Sequence, residues 1–182
     1  MAKKISPEAK AANERQRLIE TAKQYSANTY CRKFVAPLFQ RMIRCEDGAN
    51  SGPVRLAVVE GELKDVHRRV GQCVCITCGK ALAWDSGIKG MHTGHFAASR
   101  RNSILLLEEN CAPQCQACNY YRSGMPAEFR TWMLAVRGAE AIERIEALKR
   151  TSVSWTHSDL VDMRIEFNRR LKAAEQTMKG TL

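Results

Sequence analysis

The pattern of apolar and polar positions divides the chain into a helical front, a centre of short strands and a helical tail. Residues 7–24 predict a helix: Ser6 suits an N-cap, Pro7 is tolerated in the first turn, and Ala, Glu, Lys and Arg dominate. Few large apolar residues lie in it, which predicts a solvated helix or a mobile arm. From Tyr30 to Cys45 the apolar residues Tyr30, Phe34, Val35, Leu38, Phe39, Met42 and Ile43 recur at helical spacing. Pro37 inside this run predicts a kink or a break. Glu46 to Pro53 reads as a loop and as the end of the front part. Val54 to Val59 predicts a strand, and Glu62 to Val70 a short helix carrying Lys64, Arg68 and Arg69.

Three further helices are expected in the tail. Pro126 to Val136 puts Phe129, Trp132, Met133 and Val136 on one face, and Ala139 to Arg150 does the same with Ile142, Ile145 and Leu148. Ser158 to Lys179 carries Leu160, Met163, Phe167 and Leu171 at steps of three and four. The expected fold class is therefore α+β and mostly helical. Its expected segments are an N-terminal helical extension at 1–53, a core at 54–125, and a helical region at 126–182 packing on that core.

The centre is governed by cysteines rather than by periodicity. Cys75 and Cys78 form one Cys-x-x-Cys pair, and Cys115 and Cys118 form another. Each short turn points two thiolates at one ion, and four sulfurs complete a closed tetrahedron, so a structural zinc is expected. A closed site leaves no open coordination position, and such a zinc holds the fold without doing chemistry. The chain contains eight Cys. Its basic, polar beginning has no apolar signal segment, and the spacing suits metal knuckles better than a disulfide framework. A reducing, cytoplasmic setting is expected, with Cys31, Cys45, Cys73 and Cys111 as buried small apolar residues. No stretch approaches the length of a membrane span.

Charge narrows the expected partner. A formal net charge of +10 favours a polyanion, most simply nucleic acid. The basic positions Arg32, Lys33, Arg41 and Arg44 of the second helix have two readings, a face laid along phosphates or an ordinary solvated face. The same two readings apply to Arg100, Arg101 and Arg122 in the centre, as DNA-binding residues or as solvated charge.

Between and around the knuckles run CITC, GHF, RRNSILL, PQCQACN and RSG. This series resembles the HNH, or ββα-metal, nucleases, and more closely the NinG/Rap recombination endonucleases of lambdoid phages. The match covers roughly Cys75 to Gly124, weakens through the following helices and is absent before about Glu60. The resemblance implies a zinc-stabilised ββα-metal (HNH) motif with flanking helices, and a metal-dependent DNA endonuclease acting on branched recombination or replication intermediates. If the chain is phage-encoded, its setting would be the cytoplasm of the host cell. The resemblance implies His95 as general base, Asn110 as the residue bracing the loop around it, and Asn119 as a ligand of a catalytic Mg2+ or Mn2+. Asn102 falls in the matching Asn-Ser-Ile-Leu run without an assigned role.

The residues themselves leave several points open. Asn119 also has the capping of a following helix as a reading. His92 is a candidate ligand, but it sits three residues before His95, so strand alternation puts the two on opposite faces. Gly94 stands where many HNH enzymes carry a ligating Asp, and Ala112 where relatives often have His. Whether the chain forms a homodimer is not decided. The second functional class that fits is a non-catalytic zinc-knuckle protein that binds nucleic acid.

Overall fold

The computed structural model describes residues 6–49, 52, 54–97 and 102–181. Helix α1 (Pro7–Ala22) is capped by the Ser6 hydroxyl, which accepts from the Ala9 amide at 3.2 Å. It does not stand free as an arm. Arg15 donates to both carboxylate oxygens of Asp162 and to Ser158 on the last helix, and Ala22 is buried.

Helix α2 (Ala27–Tyr30) runs through a widened π turn (Cys31–Val35) into helix α3 (Ala36–Ala49). The widened turn lies directly before Pro37. Proline has no N–H and its ring presses on the carbonyl four residues back, so loosening the preceding turn lets the helix continue without the break that was the alternative to a kink. Helix α3 also extends into the stretch expected to be loop. Gly48 sits against Trp84, where an added Cβ would meet the Trp84 Cβ at 3.1 Å.

Three antiparallel hairpins follow. Strands β1 (Val54–Val59) and β2 (Glu62–His67) form the first, so the short helix expected at Glu62–Val70 is a strand. The reason is the turn between them: Glu60 and Gly61 both have positive φ, at 54° and 84°, and a two-residue turn of this kind returns a chain antiparallel on itself. Strands β3 (Gln72–Val74) and β4 (Ala81–Ala83) flank the first knuckle. Strand β5 (Met91–His95) pairs with β6 (Cys111–Cys115), with Gly94 opposite Ala112. Helix α4 (Asn102–Leu105) and a 3-10 turn (Glu108–Asn110) lie between them. A second π turn (Ala117–Tyr121) leads on to α5 (Pro126–Val136), α6 (Ala139–Lys149) and the long α7 (His157–Thr181).

Two apolar clusters hold these elements. The larger joins Phe39 and Met42 of α3, Phe167 and Leu171 of α7, and the cysteines of both knuckles. The smaller joins Val58 of β1, Ile104, and Phe129, Trp132 and Ile145 of the tail helices. Helix α3 therefore packs on α7 and also reaches β3, β5 and β6. Thr93 of β5 donates to the Gln40 carbonyl of α3 at 2.8 Å, which fixes the helix over the strand. Among the described residues, no helix is long and apolar enough to cross a membrane.

Candidate functional site

The first knuckle is a tight turn in which the Gly79 amide donates to the Cys75 carbonyl at 2.9 Å. The second begins at the end of β6 and continues into the π turn. There the Arg122 amide reaches back to the Ala117 carbonyl at 3.0 Å and Gly124 to the Cys118 carbonyl at 2.8 Å. The two turns bring the sulfurs of Cys75, Cys78, Cys115 and Cys118 within 4.8 Å of one another. The Sγ atoms of Cys78 and Cys115 are 3.7 Å apart. A tetrahedral zinc with bonds of about 2.3 Å needs sulfurs roughly 3.8 Å apart, so the cluster fits a structural zinc. Among the described residues this is the one such group of His, Cys, Asp and Glu side chains.

The thiols influence one another strongly. The hydrogen bond with Cys78 holds the Cys75 thiol below its ordinary value, and Thr77 adds to the effect against the cost of burial. The same contact and burial raise Cys78. A bound cation would stabilise all four as thiolates together. A buried relay supports them: Gln114 Nε2 donates to Thr77 Oγ1 at 3.1 Å, and Thr77 Oγ1 lies 3.4 Å from Cys75 Sγ. The other cysteines are buried and free. Burial pushes Cys31 up to about 11 and Cys45 and Cys111 up to about 12, so they stay protonated and act as small apolar groups.

Beside the cluster lies an open cleft of about 1130 Å3. Strand β5 contributes His92, Thr93 and His95, helix α3 contributes Gln40, Arg41 and Arg44, and the turn after β6 contributes Asn119, Ser123 and Gly124. His92 and His95 thus line the same space, despite the opposite faces that alternation predicts. A two-stranded ribbon twists strongly, which lets residues three apart approach one cavity.

The His95 Nε2–H donates to the Leu105 carbonyl at 3.1 Å, because a carbonyl can only accept. That assignment leaves Nδ1 with a free lone pair. Burial holds the His95 imidazole below its ordinary value of 6.5, opposed by the Leu105 contact, so the ring is neutral at pH 7. His92 is oriented by the same logic. Its Nε2–H donates to the Ile88 carbonyl at 2.6 Å, so Nδ1 accepts from Asn119 Nδ2 at 3.3 Å. The Asn119 amide oxygen is then turned away from His92.

Asn110 is fully buried. It accepts from the Ala97 amide at 2.8 Å and donates to the carbonyls of Ala97 and Ile104, at 3.3 and 3.2 Å. It therefore ties together the chain on both sides of residues 98–101. It does not line the cleft, and its contacts are those of a brace. Arg122 is exposed beside the π turn, and Asn102 donates to the Val153 carbonyl at 3.2 Å. Arg100 and Arg101 lie outside the described residues.

Gln40, Thr93 and Leu105 of the cleft were not expected from sequence, whereas Arg41 and Arg44 belong to the basic positions read there as a phosphate-binding or a solvated face. Arg44 is half-buried and donates to the carbonyls of Trp84 and Gln40 and to Thr93 Oγ1. Among the described residues it forms no ion pair with a carboxylate, whereas Arg41 pairs with Glu175 at 3.0 Å. The one available signal was the absence of acids in α3 before Glu46.

A family described as "Bacteriophage Lambda NinG protein" matches residues 63–177. The chain is 29% identical over 109 residues to Protein ninG of Escherichia phage lambda, covering 59% of this chain and 50% of that protein. It is 27% identical over 110 residues to Protein ninG of Salmonella phage P22, covering 59% and 50%. For Protein ninG of Escherichia phage 933W the identity is 26% over 110 residues, covering 59% and 51%. The chain spans about half the length of the curated relatives it matches. No solved structure matches it. The family match takes in both knuckles, strand β5 with its two histidines, and the tail helices, and on that extent the chain belongs to the NinG family.

Proposed function

We propose that the chain is a metal-dependent DNA endonuclease of the HNH type, acting on branched recombination or replication intermediates. The observation that carries this reading is the convergence of His95, the His92–Asn119 pair and Arg44 on one cleft beside the cysteine cluster. Phosphodiester hydrolysis needs a base for the attacking water, positive charge near the phosphate and help for the leaving oxygen. His95 is neutral, and its free Nδ1 suits it to take the proton. The Leu105 carbonyl fixes the tautomer and the orientation of the ring. Arg44 supplies a cation already held in place by three hydrogen-bond acceptors.

Asn119 and His92 are the residues that would hold the catalytic Mg2+ or Mn2+. A hard cation prefers oxygen, which suits the Asn119 amide oxygen, while His92 keeps that amide turned. When bound, such an ion supplies charge at the scissile phosphate and the leaving oxygen. A zinc at the cysteines would hold the end of β6, which pairs with β5, and the π turn that carries Asn119.

The test is incubation of the purified protein with supercoiled, linear and four-way-junction DNA, with Mg2+, with Mn2+ and with no added divalent metal. Wild type is expected to cut the junction in a metal-dependent way. His95→Ala is expected to keep zinc and DNA binding while losing about 10²–10⁴ in rate. Wild type that binds DNA but never cuts it would leave a non-catalytic zinc-knuckle binding protein as the correct reading.

A further inference from the structure

Three large apolar side chains stand in solvent next to this cleft. Ile88 is 81% exposed, Tyr120 73% and Tyr121 71%. The first two flank the proposed metal-holding pair. The Ile88 carbonyl accepts from His92, His92 accepts from Asn119, and Tyr120 is the next residue after Asn119. The two tyrosine rings meet edge to face, with centroids 5.2 Å apart.

The segment that presents Ile88 is well braced. Ser86 Oγ donates to the Ala83 carbonyl at 2.6 Å and accepts from the Met91 amide at 3.2 Å. The Gly90 carbonyl accepts from the Gln116 amide at 3.1 Å, which ties the segment to the second knuckle. An Ile held outward on a hydrogen-bonded loop keeps apolar surface in water, a cost that a partner covering it would remove.

We propose that Ile88 and Tyr120 contact nucleobases that have left the stack on either side of the phosphate in the cleft. This inference rests on the reading of the cleft as the place where DNA binds. Three side chains fall far short of the roughly 800 Å2 per partner that a stable protein interface buries. They suffice for one or two bases, since an aromatic face takes any base and an apolar wedge holds a base step open. The surroundings suit a polyanion: Lys89 and Arg122 are exposed beside Ile88 and Tyr121, and the chain carries a net charge of +10. Paired, fully stacked DNA offers these side chains nothing. They therefore favour sites where bases are already unpaired.

The experiment measures affinity by fluorescence anisotropy, without added divalent metal so that nothing is cut. It compares a single-stranded oligonucleotide, a duplex with an unpaired bulge and a fully paired duplex. Ile88→Ser and Tyr120→Ala are expected to weaken single-strand and bulge binding by about tenfold each. They should leave paired-duplex binding within about twofold, because no phosphate contact is removed. Tyr120→Phe keeps the ring and should behave as wild type. A 2-aminopurine in the bulge should change its fluorescence on binding wild type, and much less with either variant.

Equal losses on all three DNAs, or no loss on any, would overturn the proposal. So would a shift of Ile88→Ser or Tyr120→Ala to a smaller species in sedimentation, which would make a second copy of the chain the occupant. The two readings fail separately. Wild type that stacks on bases without ever cutting refutes the nuclease, and cutting that is indifferent to both variants refutes the base contacts.

Discussion

Replacing Gly94 by alanine is a one-carbon change with a large expected cost. In an ordinary strand, Gly→Ala stabilises by roughly 0.5–1 kcal/mol, because glycine is the poorer strand former. The backbone of Gly94 needs no left-handed conformation that would reverse this. The obstacle is Gln114, which is fully buried and lies over the glycine. A Cβ at position 94 would meet Gln114 Oε1 at 2.1 Å, Cδ at 2.8 Å and Cγ at 3.0 Å. Moving that amide aside breaks its bonds to Thr77 Oγ1 at 3.1 Å and to the Gly124 carbonyl at 2.7 Å. At about 1 kcal/mol net per bond, with a further 1–2 kcal/mol for overpacking and less the 0.5–1 kcal/mol strand gain, Gly94→Ala should lose about 2–3.5 kcal/mol. For a chain of this size that corresponds to roughly 10 °C in Tm.

The assay is urea unfolding followed by circular dichroism at fixed zinc, since bound metal shifts apparent stability. A second variant isolates the cause. Gln114→Ala destabilises by itself, but it removes the atoms in the way, so adding Gly94→Ala to it should cost less than about 0.5 kcal/mol more. Gly94→Ala as stable as wild type, or strictly additive effects in the double variant, would refute the reasoning. The same geometry bears on the Asp that many HNH enzymes carry before the base. No larger side chain fits at Gly94 while Gln114 keeps its place, so the proposed catalytic metal would rely on other ligands.

Other outcomes follow from the same structure. Elemental analysis of freshly purified protein should find about one zinc per chain, and Cys78→Ser should lose both the metal and the cooperative unfolding transition. Because His95 is held below its ordinary 6.5, cleavage should persist as pH falls past that value, where an unperturbed base would already be failing; a midpoint at or above 6.5 would contradict its burial. The sign for stability is the reverse: the unfolded chain takes up this proton first, so stability is full above about 6.5 and declines as pH drops toward the folded value. Arg170 of α7 binds Glu46 Oε2 at 2.7 Å and also holds Glu108, so Arg170→Ala should cost about 1–2 kcal/mol in urea unfolding, less at high salt.

Features fixed by local chemistry were legible in the sequence. The cysteine cluster is one, since two residues between paired thiols determine the turn. The tail helices are others, since their apolar steps continue for three turns or more. Strand β1 was read at Val54–Val59, but its partner β2 was missed because Glu60-Gly61 is a weaker turn signal than Asn-Gly, and Glu62 to Val70 carries enough Lys and Arg to pass for a helix face. The loop expected at Glu46 was shortened by a contact from elsewhere, Trp84 against Gly48. The cleft divides along the same line. His92, His95 and Asn119 sit in a recognisable run, whereas Gln40, Arg44 and Leu105 reach it only through the packing of α3 and the course of the chain after β5. The role of Asn110 also depends on tertiary contacts, with Ala97 and Ile104 on either side of residues 98–101.

The packing of α7 on α3 has a consequence for the order of synthesis. Phe167 meets Phe39 with ring centroids 5.2 Å apart, and Glu175 holds Arg41 at the cleft. Helix α7 is the last described element to leave the ribosome, while every cysteine of the cluster is already made by residue 118. A growing chain could therefore capture a metal at the cluster early, yet the wall that α3 gives the cleft stays unsupported until α7 has followed. Nascent chains stalled at residue 156 should bind zinc but leave α3 open to protease. Chains extended far enough for residue 181 to clear the exit tunnel should protect it. For a protein proposed to cut DNA, this order would delay the assembled cleft until α7 has been made and can pack on α3.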